Sequence, residues 1–305
     1  MSAKLTDEGE KMALIVSVLE QGLCYAIMAL GMYITYKILD FPDMTVDGGF
    51  PFGICLAVVM IRAGVQPILT LPICFTAGCL IGVCTGIIHV VFKVRDLLAG
   101  IIMMTGLYSV NLRIAGRANL PMYDYYTIFD NRLMNGIFGS IPVLAKFQSV
   151  IILVVITAVV KLILDWYLKT RSGLMLQAVG DNDVLVTSMG VDRGKVRITG
   201  LAIANGLVAL SGAIYAQQQR YFDVSMGTGT AVIGLASVII GTALLKKLSF
   251  FKVTTSVVIG AIVYKACVAI AIKCGLQSTD LKLITAVLFL VILIITRDRK
   301  RKVEA

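Results

Sequence analysis

The chain has 305 residues, 58% of them hydrophobic and 15% charged, with a net charge of +10 and a mean hydropathy of +0.90. A soluble domain carries about a quarter charged residues, so this composition excludes one. Apolar runs of roughly 20 residues form spanning helices, and the chain reads as an all-α polytopic membrane bundle in one domain, 1–305. The positive balance then belongs to cytoplasmic loops, not to a nucleic-acid surface.

In chain order, nine spans are expected, within a range of eight to ten: 12–37, 50–62, 67–92, 96–116, 147–168, 197–218, 229–245, 253–273 and 281–296. The opening "MSAKLTDEGEK" is mixed in charge, and the apolar run after it is long enough to cross. It reads as the first membrane helix, not as a cleavable signal. The second span is too short to cross unless it draws on 38–49. Residues 63–92 carry no Asp, Glu, Lys or Arg.

The excess of Lys and Arg at cytoplasmic loops places the tail "RDRKRK", Lys246, Lys247, Lys252 and the cluster Lys169, Arg171, Arg193, Lys195 and Arg197 inside a cell. Counting crossings back puts Lys93 and Arg95 inside as well. The N-terminus and the loop 117–146 fall outside. That loop contains "YDYYTIF", read as an interfacial aromatic belt or as a docking surface or lid.

The seven cysteines form no metal or disulfide pattern. Cys74, Cys79 and Cys84 are five apart, which scatters them around a helix. His89 ends an apolar run and has no metal-ligand company. Neither a P-loop signature nor a nucleophile–base pair is present, so an intramembrane enzyme has no support.

Two stretches align without gaps: "FPDMTVDGGFPFGICLAVVM" (41–60) and "YFDVSMGTGTAVIGLASVII" (221–240). Asp43 meets Asp223, Thr45 meets Ser225 and Gly49 meets Gly229. Each follows a helix with a Gly-Leu pair and precedes a later Asp-Leu pair, so halves 12–116 and 197–296 read as an internal repeat. In the expected topology the repeat is inverted, which marks transporters whose helices break at the binding site. Glu20, Asp43, Thr45, Gly49, Asp223, Ser225 and Gly229 are therefore the candidate translocation path. Intramembrane carboxylates are functional by default, and Glu20 reads as facing the bundle interior. For Asp43 and Asp223, helix capping and a place on the path stay open. Asp96 and Asp280, each just before an apolar run, read as caps.

Between the halves lies a polar segment, 169–197, containing "GDNDVLVTSMGVDRGKVR". Within it a short helix starts at an N-cap, Asp181 or Asn182, and stops at Gly190. Val184, Leu185 and Met189 share its apolar face, which suits docking into another protein.

This segment resembles the coupling-helix region of ABC importer permeases of the branched-chain amino-acid and ribose family. Arg171, Ser172, Ala178, Gly180, Asn182, Gly190 and Val191 stand where that family shows the same residue types. The family's paired alanines are Val184–Leu185 here. The later helix "GLVALSGAIYA" (206–216) is similar as well. Overall the chain looks most like short permeases of Gram-positive uptake systems proposed to carry tryptophan or tyrosine. The resemblance implies a second permease copy, two cytoplasmic ATPase subunits and an extracellular substrate-binding lipoprotein, in a bacterial plasma membrane with the C-terminus cytoplasmic. It implies that this chain binds no cofactor, ATP and Mg belonging to the ATPase. Gly180, Asp181, Asn182, Val184, Leu185, Met189, Gly190 and Val191 are then the contact with that ATPase. The rival readings are a secondary transporter coupled to a proton or cation through Glu20 or Asp43, and an export permease.

Overall fold

The protein is described by a computed structural model covering residues 2–130, 142–181, 186–187, 190–245 and 252–273, with isolated positions between 283 and 294; residues 2–11 and 142–146 are described by backbone alone. Backbone polar groups have no water partners in lipid, so a spanning chain closes them within helices. The described elements are α1 (Ser2–Met32), continued by a π-helical turn (Tyr33–Ile38), α2 (Val46–Arg62), α3 (Pro67–Val90), α4 (Asp96–Ala115), β1 (Asn119–Pro121), α5 (Pro142–Tyr167), α6 (Arg171–Asp181), α7 (Arg193–Gln219), β2 (Tyr221–Asp223), α8 (Thr230–Leu244) and α9 (Val253–Lys273).

Seven helical stretches among the described residues are long and apolar enough to cross a membrane: Met12–Ile38, Pro67–Val90, Asp96–Ala115, Phe147–Tyr167, Arg193–Gln219, Val224–Leu244 and Val253–Lys273. Each coincides with one of the nine expected spans. The expected span 50–62 lies within α2, which starts at Val46 and has 17 residues, about 25 Å at 1.5 Å per residue. The expected span 281–296 falls largely outside the described residues.

Local signals set the helix ends. Pro67 opens α3, where a missing N–H costs nothing. Asp192 caps α7 by accepting from the Gly194 N–H at 2.8 Å. Gly116 closes α4 in the left-handed conformation, the usual helix stop. Asp96 departs from its expected role. Arg95 holds the N-cap position of α4 and Asp96 is its first residue, with its carboxylate 3.2 Å from His89 Nδ1. Asp280 lies outside the described residues.

Helix α7 is the centre of the bundle, with α1, α2 and α3 packed around it. Small residues let membrane helices approach closely. Gly78, Gly82 and Gly86, one turn apart on α3, press against Asn205, Leu201 and Ile198 of α7 in turn. Gly53 of α2 meets Ala209, and Gly241 of α8 meets Ser256 of α9 in the same way.

The bundle has two distinct ends. At one, β1 and β2 pair antiparallel, Asn119 opposite Asp223. Gln217 donates there to the Pro67 carbonyl at 3.1 Å and accepts from the Ile128 N–H at 3.0 Å. At the other, α6 packs on the end of α1, and Arg197 Nη1 lies 3.3 Å from His89 Nε2. Lys252 reaches Asp165 at 3.1 Å there. Lys93, Arg95, Arg171, Arg193 and Lys195 gather at this second, basic end.

Candidate functional site

The backbone reverses after α1. The Leu39 N–H donates to the Ile34 carbonyl and the Phe41 N–H to that of Thr35, both at 2.9 Å, so the turn is wider than an α-helix. Asp40 follows at φ 51°, and residues 41–45 return into the bundle without helical structure. Asp43, 2% exposed, turns the chain locally by accepting from the Thr45 N–H at 2.8 Å. Its other oxygen accepts from Asn205 Nδ2, also at 2.8 Å. Thr85 donates to the Ile81 carbonyl, so the 3.1 Å contact between the Thr45 and Thr85 hydroxyls has Thr45 as donor. Non-helical backbone at this depth is tolerated because it is enclosed by protein.

The aligned stretch does the same at the other end of α7. Arg220 ends α7 in the left-handed conformation, and β2 leads to Asp223. Its Oδ1 accepts from the Ser225 N–H at 2.8 Å, the distance found for Asp43 and Thr45. Its Oδ2 accepts from Asn119 Nδ2 at 3.3 Å. Partial burial pushes the Asp223 carboxyl up, but the Ser225 hydroxyl and N–H and the Asn119 amide outweigh it and hold the group below its ordinary value. The chain then runs back into the bundle to Gly229, φ 85°, where α8 starts.

The two broken segments meet through Asp47, which the sequence reading did not place in the site. One Asp47 oxygen accepts from the Gly229 N–H at 3.1 Å. The other accepts from the Thr230 hydroxyl at 3.0 Å and the Ala231 N–H at 2.7 Å. A carboxylate from the first turn of α2 thus caps α8, where orphan N–H groups and the helix dipole favour an anion. Gly227 packs directly on the Asp47 carbonyl. Gly49, by contrast, has room for a methyl: a Cβ would lie 3.5 Å from Asn205 Oδ1. Glu20 accepts from Gln218 Nε2 at 3.1 Å, tying α1 to α7 near the strand end.

Sequence reasoning also passed over Lys265 of α9. Its Nζ lies 3.4 Å from Gln21 Oε1 and 3.9 Å from the centroid of the Tyr25 ring. It lines a cleft of about 250 Å³ between α1 and α9. A second cleft, of about 420 Å³, lies between the ends of α2 and α4 and includes Arg62 and Arg117. None of the seven candidate path residues lines either cleft. Among the described residues, no three His, Cys, Asp or Glu side chains come together.

The polar segment holds a helix, α6, ahead of the short one that the sequence suggested. Helix α6 buries Gly173, Leu176 and Val179 and exposes Leu174 at 56%. Asp181 is the last described residue of this helix, and the start of the short helix it was expected to cap lies outside the described residues. The apolar period and Gly-lined face of α6 let it continue through 181. A methyl at Gly180 would overlap the Ile38 carbonyl oxygen, so Gly180 joins α6 to the end of α1. Leu176 packs on Gly200 of α7. Asn182, Val184, Leu185 and Met189 lie outside the described residues. Val186 is fully buried. Gly190 has φ 75° and its N–H donates to the Thr187 carbonyl at 3.0 Å, the geometry of a helix stop. The Val191 N–H donates to the Val186 carbonyl at 3.3 Å.

Comparison with known proteins places this architecture. Residues 14–296 match the family model described as branched-chain amino acid transport system / permease component. The chain is 41% identical over 279 residues to the tyrosine transport system permease protein of Clostridioides difficile, covering 92% of this chain and 90% of the relative. It is 25% identical over 236 residues to the inner membrane ABC transporter permease protein YjfF of Escherichia coli, covering 76% and 68%. It is 23% identical over 234 residues to the ribose import permease protein RbsC of Escherichia coli, covering 74% and 68%. No solved structure matches significantly. A multi-pass helical bundle that matches one permease model over nearly its whole length leaves a single assignment: the chain belongs to the family of branched-chain amino acid transport permease components.

Proposed function

We propose that this chain is the permease of an ABC importer that moves an amino acid, an aromatic one favoured, into a bacterial cell by alternating access. The observation that carries this reading is the join of α6 to α1. A helix at the basic end packs Gly180 on Ile38 and Leu176 on Gly200 of α7, and leaves Leu174 exposed. That arrangement can pass a push from a cytoplasmic partner into two membrane helices. ATP and Mg belong to two ATPase subunits seated there. A lipoprotein delivers solute at the strand end, and a second copy of the chain completes the transporter. The basic end is then cytoplasmic, as is the C-terminus. Binding and release of ATP favour two different arrangements of the bundle, a population shift driven by differential binding. The matched turns at Asp43–Thr45 and Asp223–Ser225 support an inverted repeat whose broken helices meet at Asp47. The aromatic preference rests on the tyrosine permease relative.

The test is reconstitution in lipid with the ATPase and the binding protein. ATP should drive L-tyrosine uptake, and Leu174→Asp should release the ATPase. Uptake driven by a proton or sodium gradient without any ATPase would sink the reading and return attention to Glu20 and Asp43.

A further inference from the structure

Lys265 is the thirteenth of the 21 residues of α9, Val253–Lys273, which puts an ammonium group in the middle of a spanning helix. Such a group is costly in lipid, and it marks a substrate or ion pathway unless an acid neutralises it. No carboxylate stands within ion-pair distance of Lys265 among the described residues. Its partners are neutral: the Gln21 amide oxygen at 3.4 Å and the face of Tyr25 at 3.9 Å. Together they hold the ammonium in place and leave its charge uncompensated.

The surroundings are built for an anion. The cleft of about 250 Å³ is lined on α1 by Ser17 and Gln21 and on α9 by Lys265 and Lys273, between Val18 and Val268. Among the described residues, no acidic one lines it. It falls just below the roughly 300–1,000 Å³ of drug-sized pockets, a size for a small solute. A lysine with no counter-ion among the described residues, in a small cleft with apolar walls and one-sign charge, suits a single negative group of a small molecule. The solute of the proposed function carries one.

We infer that the α1–α9 cleft is a carboxylate-binding site for the transported amino acid, with Lys265 as the group that binds it and Gln21 and Tyr25 as positioning residues. This inference rests on the importer reading. It adds a place where the permease itself recognises the solute.

The experiment measures equilibrium binding of radiolabelled L-tyrosine to the permease–ATPase complex in nanodiscs, without the binding protein. Wild type should bind saturably. Lys265→Met should weaken binding roughly ten- to hundredfold, the range for losing one charge-assisted hydrogen bond, and Lys265→Arg should restore most of it. On wild type, 4-hydroxyphenylpropionate, which keeps the carboxylate and lacks the amine, should displace tyrosine. Tyramine, which lacks the carboxylate, should not. Equal binding by Lys265→Met overturns the inference. So does the absence of saturable binding by wild type of L-tyrosine, L-tryptophan and L-leucine alike. If Lys265→Met fails to assemble, the two competitors decide, and displacement by tyramine as strong as by the acid overturns it. A wild-type chain that neither associates with an ATPase nor imports sinks the importer reading itself. A chain that imports tyrosine but binds it equally well without Lys265 sinks this site alone.

Discussion

Asp47→Ala is the most informative single change. It removes the carboxylate that accepts from the Gly229 N–H, the Thr230 hydroxyl and the Ala231 N–H. Thr230 and Ala231 are each 1% exposed, so water cannot take over. The Thr230 hydroxyl keeps the Gly227 carbonyl as a partner at 2.9 Å, and its share is discounted. Losing an N-cap costs about 1 kcal/mol. Losing a fixed anion at a partly buried helix N-terminus costs up to about 2 kcal/mol more. The total of about 3 kcal/mol corresponds to a fall of roughly 5–10 °C in the melting temperature. Asp47→Asn keeps one acceptor oxygen and should recover about half of that loss. Thermal unfolding of the purified permease, followed by size-exclusion chromatography, reads the effect. Wild-type melting of Asp47→Ala would refute the claim that this carboxylate holds the two broken segments together.

Asn205→Ala leaves the buried Asp43 carboxylate without its amide partner. It should destabilise by about 2 kcal/mol, and by clearly less in an Asp43→Asn background, as a double-mutant cycle would show. Gly180→Val forces a side chain into the Ile38 carbonyl, at a cost of about 1–3 kcal/mol. ATP hydrolysis should then continue while uptake per ATP falls, which paired ATPase and uptake assays check. Asp223 is held below its ordinary value, so its bonds stabilise the fold above the unfolded carboxyl value of about 3.9 and lose that contribution as pH falls through the lowered folded value. The melting difference between wild type and Asp223→Asn should be present at neutral pH and vanish in acid. Val18→Cys with Ala269→Cys, both on the Lys265 cleft, should give a cross-link that blocks uptake. Gly206→Cys beside the native Cys79 should give one that does not.

The spans were legible because a run of 20 apolar residues is a one-dimensional signal. What the sequence hid lies in pairs far apart along the chain. Asp47 reads as one more acid beside an apolar run, and its role exists only because residues 229–231, some 182 positions away, return into the bundle to meet it. The turn after α1 was equally opaque: whether 41–49 re-enters is decided by Asn205 and Thr85 receiving Asp43 and Thr45. Lys265 was readable, since "AIVYKACVAI" puts a cation in a greasy run. Helix α6 was missed for a different reason. Leu176, Val179 and the glycines at 173 and 180 carry a helical period, but the stretch is short and is flanked by charged residues on both sides, so it does not stand out from the polar segment around it.

The glycine contacts suggest which parts of the bundle move together. Along α3 and α7, α2 and α7, and α8 and α9, glycines bring the helices close, several of them backbone to backbone, and such interfaces leave little room for side chains to repack while sliding. They bind α2, α3 and α7 into one body and α8 and α9 into another, with Asp47 as a polar pin between them. Helix α1 lies between these bodies. It touches α7 closely at Gly31 and α9 at Gly22, yet beside Gly22 the packing against α9 opens into the Lys265 cleft. It also receives α6 at its far end, where the π-helical turn has already loosened the α-helical ladder, and such turns often sit at functional positions. Helix α6 bears on the end of α1 at Ile38 and on α7 at Gly200, so on the importer reading a push on it reaches both, and α1 borders the open α1–α9 cleft. On the importer reading, the α1–α9 seam and Lys265, a cation inside a spanning helix with no acidic partner among the described residues, fall at one site, which suits the carboxylate of a transported amino acid.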